Sequence, residues 1–447
     1  MIRAAARRLH VSAGHLFQPV AAIFARGLEV AMKFVFQIVV ARSLGSAEAG
    51  LFLLALSIAS VVQCAAKFSI DRALIPSVAR LRAAGEERGA FAAIVSALGM
   101  ILLLALPVGI LLFALADPIA QFIFGKLDLA GPLRWIAMGI VSLCLLNGIV
   151  GALTGLGAAA IGDVLRNSVW PIVCSVLLLG LTSATEAAGA ATVSIIVAVI
   201  AAWLLLRRLL PARWPSRNAL KLPDNLMSMA IPLWAVDTID VILNTVPIIV
   251  LGAFGTSAEV AIFSVANRIG LIFPAVISAI GNAASPRFAL LGDDKDAGRL
   301  GRMMREVALL AMASCLPIAL LLLAVPRGVM SLFGPDYVQG ATVLRILVAG
   351  NLVNAAFACS SDLLAMRGYG PALRRIRVVM LLACLVLSAV TIPLFGAIGA
   401  ALTTATTISL SGIATGLAVR RLLRLPALPL AAGGLFARRP RRPAYPR

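Results

Sequence analysis

Charge is scarce in this sequence. Asp, Glu, Lys and Arg make up only 13% of its 447 residues, about half the share of a soluble chain. Histidine is scarcer still. His10 and His15 are the only two, and both precede the first long apolar run. That leaves no histidine for acid–base or metal work inside the apolar part. The six cysteines are Cys64, Cys144, Cys174, Cys315, Cys359 and Cys384, each in or at the edge of an apolar run. None has CxxC or CxxH spacing, so they read as small buried hydrophobes rather than disulfides or metal ligands. A GxSxG nucleophile motif is missing too. No catalytic residue, metal or cofactor is expected.

Apolar residues fill the chain instead, at 61% with a mean hydropathy of +1.02. Such a composition is that of a polytopic membrane protein. Windows and breakers place twelve spans, at about 20–41, 47–66, 92–115, 133–153, 165–182, 188–206, 228–252, 258–282, 307–325, 342–364, 376–393 and 396–419. Backbone groups in lipid must bond internally, so these are expected to be helices. The basic N-terminus leads into a full span and not into a cleavable signal.

The placement of lysine and arginine supports this layout. Of the 39, only Arg42, Lys126 and Arg327 fall in connections on one side. Arg26, Lys33, Arg134, Arg268 and Arg345 lie within spans. All the rest fall on the other side, which the positive-inside rule makes cytoplasmic, with both termini there. The net charge of +20 is then a matter of topology and anionic lipid, and no nucleic acid partner is needed. The longest outer connection is only about 116–132.

The chain repeats itself. Gly45 and Gly255, Pro76 and Pro286, and Pro107 and Pro317 are each 210 apart. Leu133-Arg134 and Leu344-Arg345, Gly157 and Gly368, and Arg166 and Arg377 are 211 apart; FIFG at 122–125 returns as SLFG at 331–334. Internal periodicity of this kind marks a duplicated architecture. Each copy holds six spans, an even number, so both insert the same way up. The expected fold is therefore an all-α polytopic membrane protein of twelve transmembrane helices in two parallel six-helix repeats. Its domains are an N-terminal lobe at 1–206, a cytoplasmic linker at 207–225, a C-terminal lobe at 226–425 and a basic Pro/Arg-rich tail at 426–447. Transporters of this design place a polar site between lobes near mid-membrane.

The first span supplies candidates for such a site. Arg26, Glu29, Lys33 and Gln37 fall within one stripe at about 100° per residue. Two readings are open. The stripe lines a cavity, the default for intramembrane charge. Alternatively, Arg26 snorkels and Glu29 and Lys33 form a local pair. The repeat maps Arg26 onto Asp237, Glu29 onto Asp240 and Lys33 onto Asn244. We expect Arg26 or Lys33 to pair with Asp237 or Asp240 in at least one state of a transport cycle. Arg268 is the next candidate. The segments 67–91 and 287–306 are expected to lie as amphipathic connections on the cytoplasmic membrane surface.

Two stretches carry a resemblance. ARSLGSAEAGLFLLALSIASVVQ (41–63) with FSIDRALIPSVARL (68–81), and LFGPDYVQGATVLRILVAGNLVNAAFACSSDLLAMRGYGPALRR (332–375) with its FGPxY…LR…G pattern, resemble bacterial polysaccharide-biosynthesis membrane proteins. These are the Wzx-type flippases of O-antigen and exopolysaccharide pathways, in the superfamily of MATE exporters and lipid II flippases. The lipid II flippases match less well, having two further helices. The resemblance implies a two-lobed, V-shaped, MATE-like transporter. Its substrate would be a polyprenyl-pyrophosphate-linked oligosaccharide, with membrane lipids and other polysaccharide-assembly membrane proteins as partners; a monomer suffices. Arg26, Lys33 and Arg268 are the cations available for pyrophosphate. Glu29, Asp237, Asp240 and Asn244 would serve as counter-ions or in ion coupling. The alternatives are a MATE-like proton- or sodium-coupled exporter and, in another class, a polymerase or ligase. The second needs an outer domain that this layout lacks.

Overall fold

The computed structural model describes residues 2–210, 225–290 and 297–423. Within these ranges side chains are described from Ala31 on, except at 282–283, 285–290 and 297–298. The described residues are almost all helical and include no strand. In chain order the main helices are α1 (Ile2–Lys67), α2 (Ile70–Ala83), α3 (Glu87–Ala114), α4 (Ala130–Gly155), α5 (Ala159–Leu177), α6 (Ala184–Leu209) and α7 (Leu226–Phe254). Then follow α8 (Ser257–Gly270), α9 (Ile272–Leu290), α10 (Ala297–Ala324), α11 (Pro326–Ser331), α12 (Ala341–Ala355), α13 (Ser360–Met366) and α14 (Gly370–Leu423).

Ten helices among the described residues are long and apolar enough to cross a membrane. Two of them are too long to be one span. At 1.5 Å per residue the 66 residues of α1 reach about 100 Å, three times the hydrocarbon thickness. The helix breaks at Gly45 (φ 71°, ψ 175°), a conformation open to glycine alone. That break separates the expected spans 20–41 and 47–66. Gly396 (φ 54°, ψ −129°) divides α14 in the same way, between 376–393 and 396–419. Twelve spans result.

The described structure also shows the repeat at the level of helix ends. Gly157 (φ 79°) and Gly368 (φ 80°) both adopt the left-handed conformation. Around the first, Ala158 N–H reaches Leu153 O and Gly157 N–H reaches Thr154 O; around the second, Tyr369 N–H reaches Leu364 O and Gly368 N–H reaches Ala365 O. These are two copies of one Schellman cap, 211 residues apart.

Packing is governed by glycine. Lipid tails are as apolar as leucine, so helices in a membrane associate through close contact rather than hydrophobic exclusion. Helix α4, the most enclosed of the candidate spans, carries glycine on three sides. Gly139 faces Thr192 of α6, Gly148 faces Leu98 and Ile101 of α3, and Gly151 and Gly155 face α2. A Cβ at Gly151 would collide with Asp71 O.

That contact bears on one expectation. Helix α2 is amphipathic, with Asp71 in its first turn and Arg80 and Arg82 in its last, in keeping with the helix dipole. One face of it is packed into the protein. Ile70, Asp71, Ala73, Leu74, Ser77 and Val78 are buried, because the glycines of α4 let its backbone approach within touching distance. Most of the matching 287–306 segment lies outside the described side chains.

Packing divides the chain into two compact units. One comprises Met1–Ile269, Val325–Leu344 and Leu381–Thr403; the other comprises Gly270–Ala324, Arg345–Met380 and Thr404–Arg447. The expected lobes follow the sequence repeat, whereas these units follow contact, and α7 falls in the first. The second has its own apolar core around Leu300, Met304, Ala311, Leu363, Leu364 and Val419.

Candidate functional site

Five helices of the first unit enclose a cavity of about 540 Å³. Each contributes residues at helical spacing, so that one face of each points inward. From α1 come Ser60, Gln63, Cys64 and Lys67; from α4, Asn147, Val150, Gly151 and Thr154. Helix α2 adds Asp71, Arg72 and Ile75, α5 adds Ala159, Asp163 and Arg166, and α7 adds Asp237, Asp240 and Val241. Seven of these side chains are charged, three basic and four acidic.

The cations are held by acids. Lys67 Nζ lies 2.8 Å from Asp71 Oδ2, one helical turn away across the junction of α1 and α2. Arg166 Nη2 lies 2.6 Å from Asp163 Oδ1. Arg72 pairs with Asp237, joining α2 to α7. Arg166 sits on a π-helical turn, Leu165–Val169, inside α5. Such turns are rare and cluster at functional positions.

The junction of α1 and α2 is fastened to α7. Phe68 and Ser69 take positive φ (49° and 50°), and their side chains are both engaged by α7. Phe68 stacks on Trp234 at 4.9 Å between ring centroids, with an interplanar angle of 17°. Ser69 Oγ donates to Asp237 Oδ2 at 2.7 Å. Trp234 Nε1 donates to Cys64 O at 3.1 Å. At the far end of α7, Lys126 Nζ donates to Gly252 O (2.6 Å) and Gly255 O (2.8 Å), and its burial pushes the ammonium pKa below its ordinary value. At the break in α1, Arg42 Nε donates to Leu332 O (2.8 Å) and Ser46 Oγ to Asp336 Oδ2 (3.0 Å).

The residues singled out from sequence fall in several places. Asp237 and Asp240 line the cavity. Asp237 takes Arg72 as its counter-ion; the expected pairing of Arg26 or Lys33 with Asp237 or Asp240 in some state of the cycle involves Arg26, whose side chain is not described. Arg72 lies near the start of α2, which the glycines of α4 admit to close contact. Lys33 Nζ donates to Asn167 Oδ1 at 3.3 Å, on the π-helical turn. Asn244 is exposed and turns back on its own helix, with Nδ2 donating to Asp240 O at 2.7 Å. Arg268 is exposed in the last turn of α8. The side chains of Arg26 and Glu29 lie outside the described residues. Lys67, Asp71, Arg72, Asp163 and Arg166 line the cavity, although the sequence pattern places them in cytoplasmic connections.

A family model described as polysaccharide biosynthesis protein matches residues 20–291, the stretch that contains this whole cavity. The chain belongs to that family. No curated protein matches it. Solved structures share the fold of this polysaccharide biosynthesis protein at low identity. An inward-facing multidrug resistance MATE transporter of the MOP superfamily aligns with a TM-score of 0.67 and 16% identity, over 91% of this chain and 98% of that one. The lipid II flippase MurJ in an inward closed conformation aligns at 0.70 and 12%, over 90% and 87%. A MOP superfamily transporter from Pyrococcus furiosus aligns at 0.59 and 19%, over 91% and 94%. The fold is therefore that of the MOP transporters, a multi-pass membrane architecture.

Proposed function

We propose that this polysaccharide biosynthesis protein is a Wzx-type flippase. It carries a polyprenyl-pyrophosphate-linked oligosaccharide across a bacterial inner membrane for O-antigen or exopolysaccharide assembly. Alternating access of the lobes 1–206 and 226–425 moves the head group while the polyprenyl tail stays in lipid; both termini are cytoplasmic. The observation that carries this reading is a charged cavity lined by α2 and by four helices long and apolar enough to span a membrane, in a member of this family. A sugar hydroxyl forced through hydrocarbon without a partner costs roughly 2–7 kcal/mol, so a head group needs such a polar path. In this reading Arg26, Lys33 and Arg268 serve the pyrophosphate. Glu29, Asp237, Asp240 and Asn244 act as counter-ions or in ion coupling.

A second reading, a MATE-like proton- or sodium-coupled exporter of organic cations, is favoured by the excess of carboxylates over cations in the cavity. One experiment separates the two. The chain is expressed in a strain lacking its own O-unit flippase, beside Arg26→Ala, Lys33→Ala and Asp237→Asn at matched membrane levels. Surface polysaccharide and drug resistance are scored together. Restored polysaccharide that falls in the variants supports the flippase; drug resistance without polysaccharide supports the exporter.

A further inference from the structure

The side opposite the basic connections carries two contacts that copy each other. Loop 122–126, FIFGK, follows α3, and loop 331–336, SLFGPD, is its counterpart in the second repeat. Each turns on a glycine of positive φ, Gly125 at 62° and Gly334 at 135°, which glycine adopts without steric cost. Each loop crosses to the other repeat. Lys126 Nζ donates to Gly252 O (2.6 Å) and Gly255 O (2.8 Å), where α7 turns into α8. At the break in α1, Arg42 Nε donates to Leu332 O (2.8 Å) and Ser46 Oγ to Asp336 Oδ2 (3.0 Å). The positions correspond throughout. Lys126 and Asp336, Arg42 and Gly252, Gly45 and Gly255, and Ser46 and Thr256 are each 210 apart. All four segments belong to the first compact unit.

The two grips have opposite polarity. In the first the loop brings the donor, a lysine seated on the carbonyls that end α7, where a helix dipole favours a cation. In the second the loop brings the acceptors. Arg42 and Asp336 are exposed and Lys126 is half-buried, so water can take over these bonds and the grips are readily exchanged. Beneath them the contact is dry. Phe34 packs edge-on against Phe333, with ring centroids 5.4 Å apart. Leu54, only 1% exposed, fills the space beside Gly252. A Cβ at Gly50 would collide with Ser257 O. A wet polar rim around a close-packed apolar centre is the anatomy of an interface.

We propose that these two reciprocal grips are the outer latch of the transporter. They hold the two repeats together on the outer side in this state, and both release when the protein opens outward. Each repeat supplies one loop and one docking site, so loss of one grip leaves the other in place. The proposal rests on the alternating access read above and not on the cargo.

The test reads the shielded centre through one introduced thiol. Leu54→Cys in the full chain, purified in mild detergent, is labelled with maleimide. Its rate is compared with that of Leu54→Cys combined with Lys126→Ala, with Asp336→Ala and with both. The six native cysteines, all buried, report general loosening in the same sample. Either single change is expected to raise the rate about tenfold, the factor that one hydrogen bond to a charged group is worth. Both together are expected to raise it further, with the native cysteines still unlabelled. Lys126→Arg keeps the donor and is expected to stay near the slow rate. A rate unchanged with both grips removed, or a rise matched at the native cysteines, overturns the proposal. Because removal can weaken folding, a second arm closes the latch instead. Ser46→Cys and Asp336→Cys are joined by a short bis-thiosulfonate linker that a reductant removes. The linked chain is expected to lose transport of glycan or drug, whichever it shows, and to regain it on reduction. Transport that survives linking overturns the proposal. A chain whose labelling follows the latch yet restores no polysaccharide in any host keeps this inference and loses the flippase reading. A chain that restores polysaccharide with labelling indifferent to the latch does the reverse.

Discussion

Asp237 shows how one side chain serves two elements. It accepts from Ser69 in the turn after α1 and pairs with Arg72 at the start of α2, while itself belonging to α7. With Asp237 17% and Arg72 52% exposed, the pair is partly screened. Its contribution is expected at the lower end of charged hydrogen bonds, about 1 kcal/mol. A double-mutant cycle of Arg72→Ala and Asp237→Ala, read by thermal unfolding in detergent, is expected to give a coupling of that size. Additive single effects would mean that the two do not interact. Asp237 and Asp240 stood out in the sequence because intramembrane acids are rare, and both line the cavity. Arg72 was not legible. Its sequence neighbours, Asp71 and the basic turn at Arg80 and Arg82, look like any membrane-surface segment. Only the depth to which α2 sinks tells them apart.

That depth is a property of helix pairing. Gly151 and Gly155 stand four residues apart on α4, with Asp71 O and Ile75 O on the points where side chains would be. Small residues at this spacing let helix backbones meet. Replacing Gly151 with Ala is expected to force α2 outward and lower stability by about 1–3 kcal/mol, the usual range for an overpacked contact. Gly99, in α3, has nothing within 4 Å of the point where a Cβ would stand. Gly99→Ala is expected to be neutral or to stabilise by up to about 1 kcal/mol, since alanine is the better helix former. Equal melting temperatures for the two variants would refute the packing argument. The helices themselves were readable from length and hydropathy, since membrane spans must satisfy their own backbone. The division of the tenth span was not: Cys359 takes φ 64° and separates α12 from α13, a conformation that no glycine or proline announces there.

At the scale of the whole molecule, all six cysteines are buried and none forms a disulfide. The folded protein is therefore expected to resist maleimide labelling in mild detergent and to react fully once unfolded. Single cysteines introduced at surface positions then report topology against a silent background. One placed at Glu86 is expected to label only from the cytoplasmic side and one placed at Asp128 only from the other. Labelling of both from one side would overturn the assigned orientation. At this scale the span count and the all-helical transporter fold were legible in the sequence, because hydropathy sets the number of spans.

The turn at Phe68 and Ser69 links these scales. Non-glycine residues in left-handed conformations each carry about 1–3 kcal/mol of strain. Here they are held by Trp234 and Asp237. The turn is a wound spring and α7 is its catch. Were α7 to withdraw, the turn would lose both contacts that hold it, and its strain would favour that opening.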